Sequence, residues 1–135
     1  MIYIDTSALV KLVVAEAESS ELIDWLNANS EHPLATSVVG HIELLRAAAR
    51  LSSAAVAAAQ RLAATIDAFV LTDGIARLAS GLAPAELRTL DAIHLATAHF
   101  HRDQLVAVCA YDRRLVAAAN DQRLPVATPG VRLAE

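Results

Sequence analysis

The chain begins Met1-Ile2-Tyr3-Ile4-Asp5-Thr6-Ser7. Ile2, Tyr3 and Ile4 are consecutive large apolar or aromatic residues, the pattern of a short strand covered on both faces. The run stops at an acid, and two small hydroxyl residues follow, which is the chemistry of a helix start. A strand feeding directly into a helix opens a βαβ unit, and the alternation continues downstream. Leu34–Thr36, Ala68–Leu71, Leu105–Cys109 and Val126–Ala127 join Ile2–Ile4 as expected strands. Helical spacing predicts helices over Ala8–Val14, Ser19–Asn29, Val38–Leu51, Ser53–Ile66, Gly74–Leu82, Leu87–His101 and Arg113–Asp121. Parallel strands joined by right-handed crossovers follow. The expected fold class is therefore α/β: a three-layer α/β/α sandwich around a central, mostly parallel five-stranded sheet. Sheets of this kind bind ligands beyond the carboxyl ends of their strands. Asp5 and Asp112 both fall at such ends.

At 135 residues the chain has the length of one domain, expected to span 1–135, with a full core. Its hydrophobic share of 56% exceeds the usual share of roughly 45–50%. Alanine, which packs helices closely, makes up much of the surplus, and the rest suits a partner interface. Aromatics, at 4%, are too scarce for base-stacking platforms to be prominent. The net charge of −4 is unusual for a nucleic-acid binder, although a bound cation would invert the local field. Ten of the eleven basic residues are Arg, with Lys11 alone. Guanidinium groups suit two-point contacts to phosphate. Cys109 is the single cysteine, so there is no disulfide framework. No leader pattern or apolar run of about 18 residues is present. The expectation is a soluble, cytoplasmic protein.

Four carboxylates, Asp5, Glu43, Asp91 and Asp112, lie in or beside apolar segments, where an unpaired acid is costly to bury. Each has an ordinary explanation. Asp5 and Asp112 suit helix N-caps. Glu43 suits a solvated helix face with Arg46 and Arg50. Asp91 complements a helix dipole, and one turn along on its face His94 suits a hydrogen-bonded core or surface histidine. Jointly the four acids point further. One sheet edge can gather them, and a concentrated negative pocket is stabilised by a hard divalent cation. No Cys and His spacing favours zinc. The chemistry expected is metal-dependent attack on phosphodiesters.

The segments IDTSALVKL, SVVGHIELLRAAARL, LRTLDAIHLATA and AYDRRLVAAA together resemble the PIN domain, and within it the toxin ribonucleases of bacterial VapBC-type pairs. The resemblance covers nearly the whole chain. It implies a type II toxin that acts as a metal-dependent endoribonuclease, with Asp5, Glu43, Asp91 and Asp112 holding Mg2+ or Mn2+. It also implies an RNA substrate, a cognate antitoxin lying in a groove near the first two helices, and a homodimer. Leu9, Leu12, Val13, Leu22 and Trp25 are expected to line that groove or to form core. One position departs from the family pattern. Ala110 stands where a Thr or Ser often precedes the fourth acid, although Thr6 and Ser7 lie nearby in sequence. A receiver domain would need a Lys after the last strand, and a haloacid-dehalogenase-like phosphatase an Asp where Ser7 stands. Dinucleotide binding would need a G-x-G-x-x-G run that the chain lacks. The rival from another class is a catalytically silent PIN-like module acting by protein or RNA binding.

Overall fold

A computed structural model describes residues 1–132; residues 133–135, part of the expected 1–135 domain, lie outside the described residues. The strands are β1 (Ile2–Ile4), β2 (Leu34–Ser37), β3 (Asp67–Phe69), β4 (Ala107–Cys109) and β5 (Val126–Ala127). The helices are α1 (Thr6–Lys11), α2 (Ser19–Ala28), α3 (Val38–Ala49), α4 (Ser53–Ala63), α5 (Asp73–Ser80), α6 (Thr89–Phe100) and α7 (Arg113–Asp121). The sheet order is β3-β2-β1-β4-β5, and every pairing is parallel. The expectation of a mostly parallel sheet is thus met in full.

Side chains alternate across the pleat, which divides the core in two. Ile2 and Ile4 face one side, together with Cys109, Leu9, Leu22, Leu44, Ala48 and Ala59. Tyr3 faces the other, with Val108, Leu95, Leu115 and Ala119. The register agrees, because Tyr3 lies opposite Val108 and Ile4 opposite Cys109. The first core is built with α1 to α4 and the second with α6 and α7. Cys109 is fully buried. Burial, reinforced by the Asp5 charge, pushes its thiol up to about 12.

Most element boundaries differ from expectation by one to three residues, and three of the differences are instructive. Helix α1 starts at Thr6 rather than Ala8, because Asp5 itself is the N-cap and accepts from the Ala8 N–H. Strand β3 ends at Phe69 rather than Leu71. Val70 and Leu71 leave the sheet and are exposed. Strand β4 begins at Ala107, after a 3-10 turn at Arg102–Gln104. Apolar character marked these segments correctly but could not say where pairing stops.

Gly40 decides how closely α3 approaches the sheet. A Cβ there would lie 2.2 Å from Thr36 Oγ1 and 3.2 Å from His94 Cε1. Helix α3 therefore sits directly against β2 and α6, which places Glu43 one turn further along beside the sheet edge. Gly40→Ala should destabilise the protein by about 1–3 kcal/mol, the usual cost of overpacking, although Ala is otherwise the better helix former. Urea unfolding would measure this. Thr36→Ala, which removes the obstructing atoms, should recover part of the loss.

Candidate active site

Asp5 stands immediately beyond the carboxyl end of β1, and Asp112 follows Ala110 and Tyr111 beyond that of β4, the neighbouring strand. Each caps the helix that follows. Asp5 Oδ1 accepts from the Ala8 N–H at 3.1 Å, and Asp112 Oδ1 accepts from the Arg114 and Leu115 N–H groups at 3.0 Å each. The capping explanation open to both from sequence is therefore realised, and it occupies one oxygen of each. Ser7 ties the two strand ends together. Its hydroxyl faces Asp5 Oδ1 at 2.7 Å and Oδ2 at 2.9 Å, and its oxygen accepts from the Tyr111 N–H at 2.9 Å. A hydroxyl at the buried Ala110 is thus missing, but Ser7 supplies one between the same two strands.

Glu43 does not lie on a solvated face paired with Arg46 and Arg50. Its Oε1 accepts from the Thr6 hydroxyl at 2.7 Å and from His94 Nε2 at 2.7 Å. His94 is 2% exposed, and its Nδ1 meets the Tyr3 hydroxyl at 2.7 Å. A chain of hydrogen bonds thus runs from the core of β1 through α6 to Glu43. Burial raises the Glu43 carboxyl, but the bonds from His94 and Thr6 outweigh it and hold the group below its ordinary range.

Asp91 is in the first turn of α6 and is half-buried. Burial raises its carboxyl, the negative charges of Asp112 and Glu43 raise it further, and His94 and Arg88 oppose them. Asp5 is 3% exposed. Burial lifts its carboxyl to about 6 against the pull of Ser7, His94 and the Ala8 N–H, with Asp91 adding to the rise. Asp91 therefore lies within electrostatic range of each of the other three acids. Among the described residues, however, no three His, Cys, Asp or Glu side chains come close enough to hold an ion between them. The donor set still suits a hard cation. Asp91 and one oxygen each of Glu43 and Asp112 have no hydrogen-bond partner among the described residues, and Mg2+ keeps several waters and needs only one or two carboxylates.

Two clefts meet at Thr6. One, of about 570 Å³, is lined by Ser7, Val10, Lys11, Val14, Arg50 and Asp112 among others. The second, of about 400 Å³, includes Ile42, Glu43, Arg46, Arg50 and Leu90. Among the described residues neither Arg46 nor Arg50 pairs with an acid, whereas Lys11 is held by Glu18 at 3.1 Å and the Ala17 carbonyl at 2.9 Å. Of the residues expected in a partner groove, Leu9 and Leu22 are fully buried. Leu12, Val13 and Trp25 pack on the same core. Val10 and Val14, which also pack on that core, line the cleft. Sequence reading missed His94 as a contributor to the site. Its i+3 spacing from Asp91 was the available signal, but nothing in the sequence showed that Glu43 would reach it.

The PIN domain family matches residues 2–121. Ribonuclease VapC47 of Mycobacterium tuberculosis is 41% identical over 133 residues, covering 96% of this chain and 98% of that one. Among solved structures, Mycobacterium tuberculosis VapC20, described as a sarcin-ricin loop cleaving toxin, has a TM-score of 0.69 at 25% identity, covering 87% and 95% of the two chains. A toxin–antitoxin complex from Klebsiella pneumoniae has a TM-score of 0.70 at 22% identity, covering 96% and 98%.

Asp5 gives the site a pH signature. The folded chain holds a proton on Asp5 between its ordinary 3.8 and about 6, a range in which the unfolded chain has released it. The associated stability is complete below 3.8 and is lost as pH rises through about 6. Without divalent cations, unfolding midpoints of the native protein should therefore fall across that window relative to Asp5→Asn. Parallel pH profiles for the two proteins would contradict this assignment.

Proposed function

The chain belongs to the PIN domain family, and from that premise we propose that it is a metal-dependent endoribonuclease, the toxin of a type II toxin–antitoxin pair. The observation that carries the reading is the acid cluster beyond the β1 and β4 ends, where the charges of Asp112 and Glu43 raise the Asp91 carboxyl and that of Asp91 raises Asp5. Ribonuclease relatives at 41% identity over nearly the full length support the same activity. Asp5, Glu43, Asp91 and Asp112 are the residues that would hold Mg2+ or Mn2+ and form the catalytic site. When bound, the cation supplies a Lewis acid that makes water nucleophilic near neutral pH and offsets phosphate charge.

The chain's own groups do the positioning. Ser7 fixes Asp5 against the end of β4. Thr6 and His94 fix Glu43. Arg46 and Arg50, exposed and lining the second cleft, offer planar two-point contacts to RNA phosphates on either side of the scissile bond. No side-chain nucleophile is required. The first cleft combines apolar Val10, Val14 and Leu51 with Arg50 and Lys11. It suits an extended antitoxin segment that would cover the acids. Exposed Val70, Leu71, Leu90 and Phe100 supply apolar surface for a second copy of the chain. Among the described residues no helix is long and apolar enough to cross a membrane. We place the activity in the cytoplasm, where RNA and antitoxin would be met.

Ala110 favours the rival reading, a catalytically silent PIN-like module, and the decisive measurement is RNA cleavage with and without EDTA. Cleavage should require Mg2+ or Mn2+ and disappear in EDTA; undiminished cleavage in EDTA would remove the metal from the mechanism. Asp5→Asn and Asp91→Asn should each reduce the rate by orders of magnitude while the fold survives. Arg50→Ala should weaken RNA binding and lower the slope of log affinity against log salt by about one. A slope unchanged by that substitution would take Arg50 out of the phosphate contacts.

A further inference from the structure

His94 is gripped on three sides. Its Nδ1 meets the Tyr3 hydroxyl at 2.7 Å. Its Nε2 meets Glu43 Oε1 at 2.7 Å. Its Cε1 lies beside Gly40, where a Cβ would stand only 3.2 Å away. Gly40 and Glu43 are three residues apart on α3, so one face of that helix both admits the imidazole and receives its hydrogen bond. The carboxylate oxygen can only accept, so Nε2 carries the proton that faces Glu43. Thr6 donates to the same Oε1 at 2.7 Å. That oxygen is thereby saturated by two donors, while Oε2 has no hydrogen-bond partner among the described residues.

We propose that His94 is a positioning residue which, with Thr6, occupies one oxygen of Glu43 and so restricts Glu43 to binding the divalent cation through the other oxygen alone. The inference rests on the reading of Glu43 as a cation ligand. Tyr3, fully buried on β1, anchors the ring from the core side. The carboxylate at the sheet edge is therefore oriented from the interior of the protein. A carboxylate free to rotate could bind through both oxygens or turn toward solvent, and would hold the cation less well. Groups that orient metal-binding side chains typically change affinity by about 10- to 100-fold when removed.

The test is Mn2+ binding by calorimetry to the native protein, His94→Ala and His94→Gln, with circular dichroism confirming the fold of each. His94→Ala should bind Mn2+ about 10- to 100-fold more weakly. His94→Gln, which keeps an N–H at similar reach, should recover most of that loss. A merely space-filling role would not separate the two variants in this way. Equal Mn2+ affinity in the native protein and a folded His94→Ala would overturn the role of His94 while leaving the metal reading intact. Absence of Mn2+ binding by the native protein would overturn both. Should His94→Ala fail to fold, nitrogen-15 spectra of the native protein decide the matter. A protonated Nε2 signal that shifts as Mg2+ saturates the site is expected. A signal from the other tautomer, or one that Mg2+ does not move, would overturn the proposal.

Discussion

A buried carboxylate at the end of the central strand constrains everything around it. Asp5 cannot be left unpartnered in an apolar setting, and the fold answers with the Ser7 hydroxyl and the Ala8 N–H in the first turn of α1. Ser7 in turn accepts from the backbone after β4. One acid thus starts a helix and, through its neighbour, holds two strand ends at a fixed spacing. Asp112 repeats the capping device on the adjacent strand. Two acids that serve the architecture on one side are thereby delivered to the same edge of the sheet.

The other two acids come from helices, and their placement depends on close packing. Helix α3 lies near enough to α6 for Glu43 to meet His94 because Gly40 has no side chain to hold them apart. Asp91, three residues before His94 on α6, has no comparable tether and feels the charges of its neighbours. The site therefore combines three carboxylates held by hydrogen bonds with one that is not. The two clefts that meet at Thr6 place Arg46 and Arg50, which pair with no acid among the described residues, beside these acids. In the function proposed here, that arrangement lets a chain of net charge −4 receive a polyanion.

Much of this was legible in the sequence, for identifiable reasons. The strands were readable because each is a short apolar run followed by an acid, a hydroxyl residue or a turn. The positions of Asp5 and Asp112 followed from strand ends alone. Glu43 was harder, since Arg46 and Arg50 at helical spacing offered a plausible surface pairing that the fold does not use. His94 was read as an ordinary hydrogen-bonded histidine. That was correct for its hydrogen bonding but left core and surface open and was silent about its partner, which comes from a segment 51 residues away. Leu9, Leu12, Val13, Leu22 and Trp25, which from sequence could line a groove or form core, belong to the core. Periodicity shows that Leu9 and Leu22 share a face with other apolar residues, but not whether that face meets the sheet or an open cleft. The helix neighbours Val10 and Val14 turned out to border the cleft.

The lone cysteine has a further consequence. Its sulfur is sealed in the sheet beside Ile4 and held in the thiol form by burial and by the Asp5 charge. Reactivity toward peroxide or disulfide reagents requires an accessible thiolate. Oxidants and disulfide reagents therefore meet no reactive thiol in this chain, and no disulfide switch can be built on it.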